Sequence, residues 1–376
     1  MRKCYTPKNV LLAGALLLLT GGVGLASKAA EAQQVPPVPG APPIVATPIL
    51  DVPQLLQWPI DPGRGTTPNL TDQPADRLYD LHGDIGACNG MGLVLSTEGN
   101  YNMALQAMWY HVFLPRYGRL VKTWYYTTSP PISVQQLANS NLTFGNLNLA
   151  CHPEIAVASM RVMKKLEAAG DVQGKPRAII QGRGNVLLVK AGNPKGIHSI
   201  WDLGRTDVRL MTPNPYLEPG AFLNYATSIY EIAKQDAHPP AGWTADRLFN
   251  AIFGAAAPKG KWLIGDRIHH RDEPQAVAYG GADVAVIMYQ LGHYTMASFP
   301  HLLTIVPLGG TVSDPQPLPG NQVGMTYMAK IRGNWTPAQR AAANDLWATY
   351  NSPAFTKILE QYGLRRPAGW KVAKSH

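Results

Sequence analysis

Residues 268–294 read IHHRDEPQAVAYGGADVAVIMYQLGHY, a cluster of charged residues followed by two apolar segments. Proline is tolerated in the first turn of a helix, so Pro274 predicts a short helix that starts there and ends at Tyr279, before two glycines. The apolar run that follows, residues 282–289, is typical of a strand buried on both faces of a parallel sheet. A helix that leads into a buried strand, with charged residues at the helix start, indicates an α/β binding protein.

The rest of the chain repeats this alternation of strands and helices. Apolar and β-branched runs predict strands within residues 92–100, 120–131 and 185–194. Apolar residues at helical spacing predict helices within residues 101–118 and 159–172. Alternating strands and helices favour an α/β fold whose sheet is mostly parallel, in one large domain or two medium ones.

The N-terminus carries the pattern of a secretory signal. A basic start, Arg2, Lys3 and Lys8, precedes an apolar segment over residues 10–26, and Ala-Glu-Ala at residues 30–32 offers a cleavage site. The alternative is an uncleaved anchor, but the apolar segment is shorter than the roughly 20 residues that a spanning helix needs. We therefore expect a signal peptide over the first 32 residues and a mature protein exported to the periplasm.

Residues 33–75 are rich in proline and have neither helical nor alternating periodicity. Such a segment predicts an extended linker, or a strap that lies on the domain, with little part in the chemistry. An interaction protein that works through this segment is a rival reading. It would lose its activity if residues 33–75 were deleted, whereas a solute-binding protein would keep its ligand.

Composition and charge limit the functions that the chain can have. A hydrophobic content of 45% with 15% charged residues is enough for large cores. The formal net charge is +9, of which the first 32 residues supply +3 through four basic residues and one acid. No run of lysines and arginines with interleaved aromatic residues is present, so the charge indicates no nucleic-acid partner.

Only two cysteines, Cys88 and Cys151, remain after removal of the signal peptide. Two cysteines in an oxidising compartment are more often paired than free. The sequence therefore predicts a disulfide between them.

Four segments, in their order along the chain, resemble the type II periplasmic solute-binding proteins of ABC transporters, and among these the molybdate-binding-like branch. The segments are VLLVKAGNPKGIHSIWDL, VRLMTPNPYLEPGAFLNYA, EPQAVAYGGADVAVIMY and NSPAFTKILEQYGL, at residues 186–203, 208–226, 273–289 and 351–364. The resemblance covers residues 92–364. It rests on the order and spacing of the segments, because no single motif is diagnostic.

The resemblance implies a two-lobed α/β fold with crossing hinge strands and a ligand in the cleft between the lobes. Lobe one would comprise residues 75–187 and 292–376, and lobe two residues 188–291. The partners implied are a small-molecule ligand and an inner-membrane ABC permease, for a monomer without a cofactor. Ligands of open α/β sheets bind beyond the carboxyl ends of the strands, so the loops at those ends become the candidate site.

In lobe one, two hydroxyl-rich turns follow predicted strands. The candidate residues are Thr97, Glu98, Asn100, Thr127, Thr128 and Ser129. Hydroxyls and unpaired helix amides can together replace the hydration shell of an oxyanion, although ordinary helix capping would use the same residue types. Glu98 departs from the molybdate-binding pattern, which has neighbouring serines in this loop. Either the Glu98 carboxylate points away from the site, or the ligand offers a cation, a hydroxyl or an amine.

In lobe two, the candidates lie after a predicted strand, at the start of the predicted helix at Pro274 and at the end of the strand that follows that helix. They are Asn214, Glu218, His269, His270, Arg271, Glu273 and Tyr289. Arg271 could bind a carboxylate or phosphate through two hydrogen bonds, and an imidazole could donate a third. The alternatives are a capping role for Glu218 and a solvated charged loop for residues 269–273.

The sequence favours a solute-binding protein for a small anion over two rivals. A metal or metal chelate is the first, because acidic residues and histidines lie among the candidates, although adjacent histidines on an extended segment point apart. A secreted hydrolase is the second, and a pair such as His270 with Glu98 could serve it. No nucleophile elbow of the G-x-S-x-G type is present, so we expect no enzymatic activity.

Overall fold

The computed structural model describes residues 34–50, 78–89, 92–118, 121–129, 134–144, 147–265 and 268–372. The chain separates into two units, Met1–Gln34 and Val35–His376, and the elements below all belong to the second. The signal peptide expected for residues 1–32 and the part of the proline-rich segment beyond residue 50 lie outside the described residues. Within the described part, no helix has the length and apolar character needed to cross a membrane.

Two six-stranded sheets form the framework of two lobes. In their side-by-side order, the strands of the lobe-one sheet are β2 (Leu78–Gly83), β4 (Lys122–Ser129), β3 (Gly92–Glu98), β7 (Ile155–Ser159), β14 (Met325–Ile331) and β8 (Val172–Gln181). Those of the lobe-two sheet are β1 (Ile49–Leu50), β11 (Trp262–Ile264), β10 (Leu210–Thr212), β12 (Val284–Met288), β9 (Asn185–Lys190) and β13 (Leu303–Pro307). A separate hairpin joins β5 (Asn141–Phe144) to β6 (Leu147–Ala150).

Helices cover the sheets. The lobe-one helices are α1 (Asn102–Met108), α2 (Leu114–Tyr117), α3 (Val134–Ala138), α4 (Met160–Ala168), α9 (Pro337–Tyr350) and α10 (Pro353–Gln361), with a π-helical stretch, Trp109–Phe113, between α1 and α2. Those of lobe two are α5 (Pro219–Gln235), α6 (Ala245–Phe253), α7 (His269–Ala278) and α8 (Tyr289–Ser298). The mixed α/β class is confirmed.

The lobe-one sheet is buried on both faces because its strands are apolar at successive positions. Side chains alternate between the two faces of a strand. In β4, Tyr125 packs with Trp109 and Phe113 on one face, while Trp124 and Tyr126 enter a separate core on the other face. All five of these aromatic side chains are almost completely buried.

The chain crosses between the sheets twice, as the two-lobed fold requires. The first crossing follows β8 at residues 182–184, and the second runs from β13 to β14 over residues 308–324. The crossings are joined to each other, because Gly182 donates its N–H to the carbonyl of Gly324 at 2.8 Å. Asn321 accepts the N–H of Asn185 at 2.8 Å and donates to the Asn185 carbonyl at 3.0 Å. The hinge is therefore a hydrogen-bonded pair of segments.

Two boundaries differ from the sequence prediction. The lobe-two sheet includes β13, which pairs antiparallel with β9 over Leu303–Pro307, so the division at residue 291 cuts through lobe two. Helix α7 begins at His269, and Pro274 lies inside it. The helix begins five residues before the proline. The Glu218 carboxylate, from a distant segment, accepts the N–H of His269 at 2.7 Å and so caps this start of α7.

The start of the proline-rich segment is a strap on lobe two. Val38 is 4% exposed in the lobe-two core, and β1 pairs in parallel with β11 at the sheet edge. The amides of Val45 and Ala46 both donate to the carbonyl of Phe253 at 2.9 Å. Residues 35–50 therefore belong to the second lobe.

The predicted disulfide is confirmed. Cys88 and Cys151 are bonded, with their Cα atoms 4.6 Å apart. The bond links the 3-10 turn Ile85–Asn89 to the end of β6, and Cys151 is almost fully buried in one of the lobe-one cores.

Candidate functional site

A cleft of about 280 Å³ lies between the lobes, and we call it the interlobe cleft. Lobe one contributes the loop after β3 and the start of α4, and lobe two contributes the starts of α5 and α7. Gly324 of the second crossing and Met325, the first residue of β14, also line the cleft. The other lining residues are Asn100, Tyr101, Ser159, Arg161, Leu217, Glu218, Pro219, Gly220, Ala221, Asn224, His269 and Met288.

Arg161 brings a positive charge to the cleft. It lies in the first turn of α4, is exposed, and has no ion-pair or hydrogen-bond partner among the residues that the structure describes. Its guanidinium lies against α5 of the other lobe, since a Cβ added to Gly220 would be 2.9 Å from Nη2. An unpaired arginine that reaches across a cleft is suited to bind an anion.

Two helices direct their N-termini at the same cleft. Helix α4 follows Ser159 and α5 follows Glu218, and neither of these residues caps its helix through the side chain. The first amides of a helix have no partner within it, and the helix dipole makes this end positive. The amides of α4 and α5 thus add to the charge of Arg161.

A buried histidine–carboxylate hydrogen bond forms part of the lobe-two wall. Glu218 Oε1 is 3.0 Å from His269 Nδ1, and Glu218 Oε2 accepts the backbone N–H of His269. A carboxylate oxygen accepts hydrogen bonds, so Nδ1 is the donor of this contact, and in that tautomer Nε2 is the acceptor of the ring. Nε2 is buried and has no partner. A ligand hydroxyl or amine could fill this position.

Glu273 lies behind the pair, on the buried side of α7. Its side chain is completely buried and both carboxylate oxygens lack partners. Burial raises the pKa of Glu273 well above its ordinary value, and the charges of Glu218 and Asp272 raise it further. Burial likewise raises the pKa of Tyr225, whose ring packs edge-on to His269. Glu273 is thus a buried carboxyl group beneath the cleft wall, and its surroundings favour the protonated form.

His270 and Arg271 lie in a different place from His269. They line a second cavity, of about 610 Å³, between α7, α8 and α1, which we call the α7–α8 groove. The remaining lining residues are Asn102, Met103, Gln106, Pro274, Gln275, Ala278, Tyr279, Leu291, Tyr294, Thr295, Phe299, Leu302 and Leu303. A helix turns about 100° per residue, so neighbouring histidines on α7 face different cavities.

Asn100 is the lobe-one candidate that lines the interlobe cleft. Its carbonyl accepts from Gln290 Nε2 of lobe two at 3.3 Å, which joins the lobes at this point. The Thr127 hydroxyl donates to Tyr125 at 3.0 Å, and the Thr128 hydroxyl is buried without a partner.

For Thr97, Glu98 and Ser129 the structure describes the backbone. Thr97 and Glu98 pair in parallel with Thr127 and Thr128, so the ends of β3 and β4 lie side by side. Ser129 is the last residue of β4 and pairs with Leu78.

Two lobe-two candidates hold the backbone in place. Asn214 Oδ1 accepts the amides of Tyr216 and Leu217, while Nδ2 donates to the Gly265 carbonyl at 2.8 Å, so this side chain shapes the loop before α5. Tyr289 is buried, and its hydroxyl donates to the Val312 carbonyl in the second crossing at 2.9 Å. Burial raises the pKa of Tyr289.

Four residues that line the cleft are not among the candidates from the sequence: Tyr101, Ser159, Arg161 and Asn224. A signal for Arg161 exists, because Ser-Met-Arg at residues 159–161 follows the apolar strand β7 and begins a helix, as a strand-end binding loop does. Among the described residues, no group of three or more histidine, cysteine, aspartate or glutamate residues could hold a metal ion.

Several solved structures are similar to this chain at low sequence identity. SubI, the sulfate-binding protein of Mycobacterium tuberculosis H37Rv, aligns over 74% of this chain and 88% of its own, with 15% identity and a TM-score of 0.50. Peb3 of Campylobacter jejuni aligns over 73% and 100%, with 14% identity and a TM-score of 0.46. An ABC transporter structure from Clostridium perfringens aligns over 75% and 87%, with 14% identity and a TM-score of 0.44. The likeness to SubI shows the fold alone, and it does not distinguish a molybdate-binding-like branch.

No curated protein sequence matches the chain. One family model does, that of the bacterial extracellular solute-binding proteins, over residues 154–365. The match covers more than half of the chain and includes both crossings, the starts of α4, α5 and α7, and all of the lobe-two sheet except β1. The chain therefore belongs to the bacterial extracellular solute-binding protein family.

Proposed function

We propose that this protein is the solute-binding component of an ABC transporter and that it captures a small organic anion in the interlobe cleft. The observation that carries the proposal is Arg161, an unpaired cation placed between the N-termini of α4 and α5. The anionic group of the ligand would bind the guanidinium and the helix amides. Because these groups come from opposite lobes, the ligand would favour the closed arrangement.

The ligand also needs a hydroxyl or amino group. The Glu218 carboxylate lies in the cleft wall, and a bare dianion beside it would be repelled. A hydroxyl or amine can instead donate to His269 Nε2, which lacks a partner. A volume of about 280 Å³ suits a molecule the size of a small hydroxy acid or amino acid.

We also propose where the protein works and which partner receives its ligand. The mature protein, beginning at Gln33 after removal of the signal peptide, would work in the periplasm as a monomer and deliver its ligand unchanged to an inner-membrane permease. The intact mass of the exported protein tests the cleavage site, and release of an unmodified ligand on denaturation tests the absence of turnover.

A thermal-unfolding screen tests the ligand class. The panel contains sulfate, phosphate, molybdate, small hydroxy and amino acids, neutral sugars and divalent cations. A ligand at a hundredfold excess over its Kd stabilises the native state by about 2.7 kcal/mol, so a true ligand gives a clear shift. We expect hydroxy or amino acids to stabilise the native protein. Stabilisation by sugars alone would contradict an anion site, and stabilisation by cations alone would favour the metal alternative.

Substitution of Arg161 locates the binding. Arg161→Gln should weaken the binding of the stabilising anion by about tenfold or more, since a hydrogen bond to a charged group contributes roughly 1.5–3 kcal/mol. Arg116→Gln is the matched control, because Arg116 is an exposed arginine of lobe one outside the cleft lining. Equal affinity in both variants would move the site away from Arg161.

A further inference from the structure

The α7–α8 groove is built from three helix faces. Its residues on α7, from His270 to Ala278, are alternately one and three positions apart, and those on α8, from Leu291 to Thr295, are three positions and then one position apart. Residues three or four apart share one face of a helix, so each helix presents a continuous stripe to the cavity. Helix α1 of lobe one closes the third side with Asn102, Met103 and Gln106.

The two main helices of the groove run in the same direction. As a result, the polar residues lie together at one end of the groove and the apolar residues at the other. Strands β11 and β12 both lie parallel to β10, and β12 and β13 both pair antiparallel with β9. Helix α7 connects β11 to β12 and α8 connects β12 to β13, so both helices return between parallel strands. His270 and Arg271 therefore lie at the end near the start of α8, and Tyr279 lies at the end near Phe299.

The apolar end is unusually exposed for a folded domain. Tyr279 is 66% exposed, Phe299 54%, Tyr294 48% and Leu302 37%. Single exposed apolar residues are normal on protein surfaces, but these four surround one cavity, and contiguous apolar surface of this kind marks binding sites.

The polar end has hydrogen-bonding groups without partners. Arg271 is exposed, and it has no ion-pair or hydrogen-bond partner in the described part of the chain. His270 Nε2 and Gln275 Oε1 are both buried and unpartnered. Burial lowers the pKa of His270 well below its ordinary value, so its ring is neutral and can donate one hydrogen bond.

We propose that the α7–α8 groove is a second ligand site, separate from the interlobe cleft, for an amphipathic molecule with one anionic head. Arg271 and His270 would bind a carboxylate or a similar group, and the aliphatic or aromatic body would lie along Tyr294 and Phe299. Helix α7 has ten residues, which gives the groove a length of about 15 Å at 1.5 Å per residue. A saturated carboxylate of medium length matches this shape.

Decanoate is a suitable probe, and decanol is its neutral counterpart with the same tail. We expect decanoate to bind with one-to-one stoichiometry and more tightly than decanol in calorimetry with the full-length mature protein. Arg271→Gln should weaken decanoate binding by roughly tenfold, the loss of one hydrogen bond to a charged group, and leave decanol unaffected. Tyr294→Glu should weaken both probes, because it places a carboxylate beside the tail.

Three results would overturn the proposal. The first is the absence of saturable decanoate binding, and the second is unchanged affinity in Arg271→Gln. The third is a loss of decanoate binding in Arg161→Gln with no loss in Arg271→Gln, which would place the probe in the interlobe cleft. Arg116→Gln serves as the charge control, and circular dichroism confirms that each variant is folded.

Discussion

The guanidinium of Arg161, on lobe one, lies against Gly220 in the first turn of α5 on lobe two. A Cβ at residue 220 would be 2.9 Å from Nη2 and 3.4 Å from Cζ. Contacts at 2.9 Å are too close for a carbon atom, so a side chain at this position would displace the guanidinium. The absence of a side chain at Gly220 thus lets the guanidinium lie against the first turn of α5.

Gly220→Ala should therefore change stability and binding in opposite directions. Alanine raises helix propensity by up to about 1 kcal/mol, and only the flexible end of Arg161 must move, so the free energy of unfolding should stay level or rise. Affinity for the anion that stabilises the native protein should fall. Thr227→Ala is the control, because it raises helix propensity two turns further along α5. Equal affinity in the two variants would show that Arg161 does not need this space.

Glu273→Gln should stabilise the protein in a pH-dependent way. The unfolded chain ionises Glu273 near its ordinary pKa of 4.5, whereas burial raises the pKa in the folded protein well above that value. Between these two pKa values the folded state binds more protons, so the free energy of unfolding falls as pH rises, by up to about 1.4 kcal/mol per pH unit for this group. Urea unfolding at about pH 4, 6 and 8 measures the difference between variant and native protein. It should be smallest at about pH 4 and increase with pH, and a constant difference would contradict the neutral buried acid.

The disulfide should carry a large part of the stability of lobe one. Cys88 and Cys151 are 63 residues apart, and closing a loop of that size stabilises by about 4 kcal/mol in the chain-entropy model. The double variant Cys88→Ala, Cys151→Ala should lose about this much in chemical unfolding. Alkylation of the denatured, unreduced native protein should label neither cysteine; two labelled thiols would show that the bond is absent in the exported protein.

The strap over residues 35–50 should stabilise lobe two without touching the ligand. Val38→Ala removes buried apolar volume from the lobe-two core and should cost about 2 kcal/mol. Val45→Ala is the matched control on the same segment, since Val45 is 55% exposed and its truncation should change stability by less than about 0.5 kcal/mol. Both variants should keep the affinity of the interlobe cleft. If the two variants are equally stable, the strap does not pack in solution as it does here.

Local patterns in the sequence predicted the regular elements well where one segment determines them. The run that became β12 is apolar at every position, and the helix that became α4 is amphipathic. The edge strand β8 was not predicted, because Pro176 interrupts its pattern and proline in a sheet is tolerated mainly on edge strands.

The start of α7 depends on a residue far away in the sequence. Glu218 caps His269 across 51 positions, and no local pattern around Pro274 contains that information. Because this helix start is not visible in the sequence, His269 and Arg271 are predicted to lie in one cluster. On the helix their side chains point in different directions and line different cavities. Arg161 was missed because a single arginine after a strand is common, and its meaning depends on Gly220 of the other lobe.

Native mass spectrometry of protein exported to the periplasm tests the central claim, that Arg161 holds a small anion in the interlobe cleft. The native protein and Arg116→Gln should each carry one small molecule, and denaturation should release it unchanged as an acid with a hydroxyl or amino group. Arg161→Gln, purified in the same way and folded, should carry much less of it. An equal amount of the same ligand on Arg161→Gln, or a ligand without an anionic group, would contradict the account.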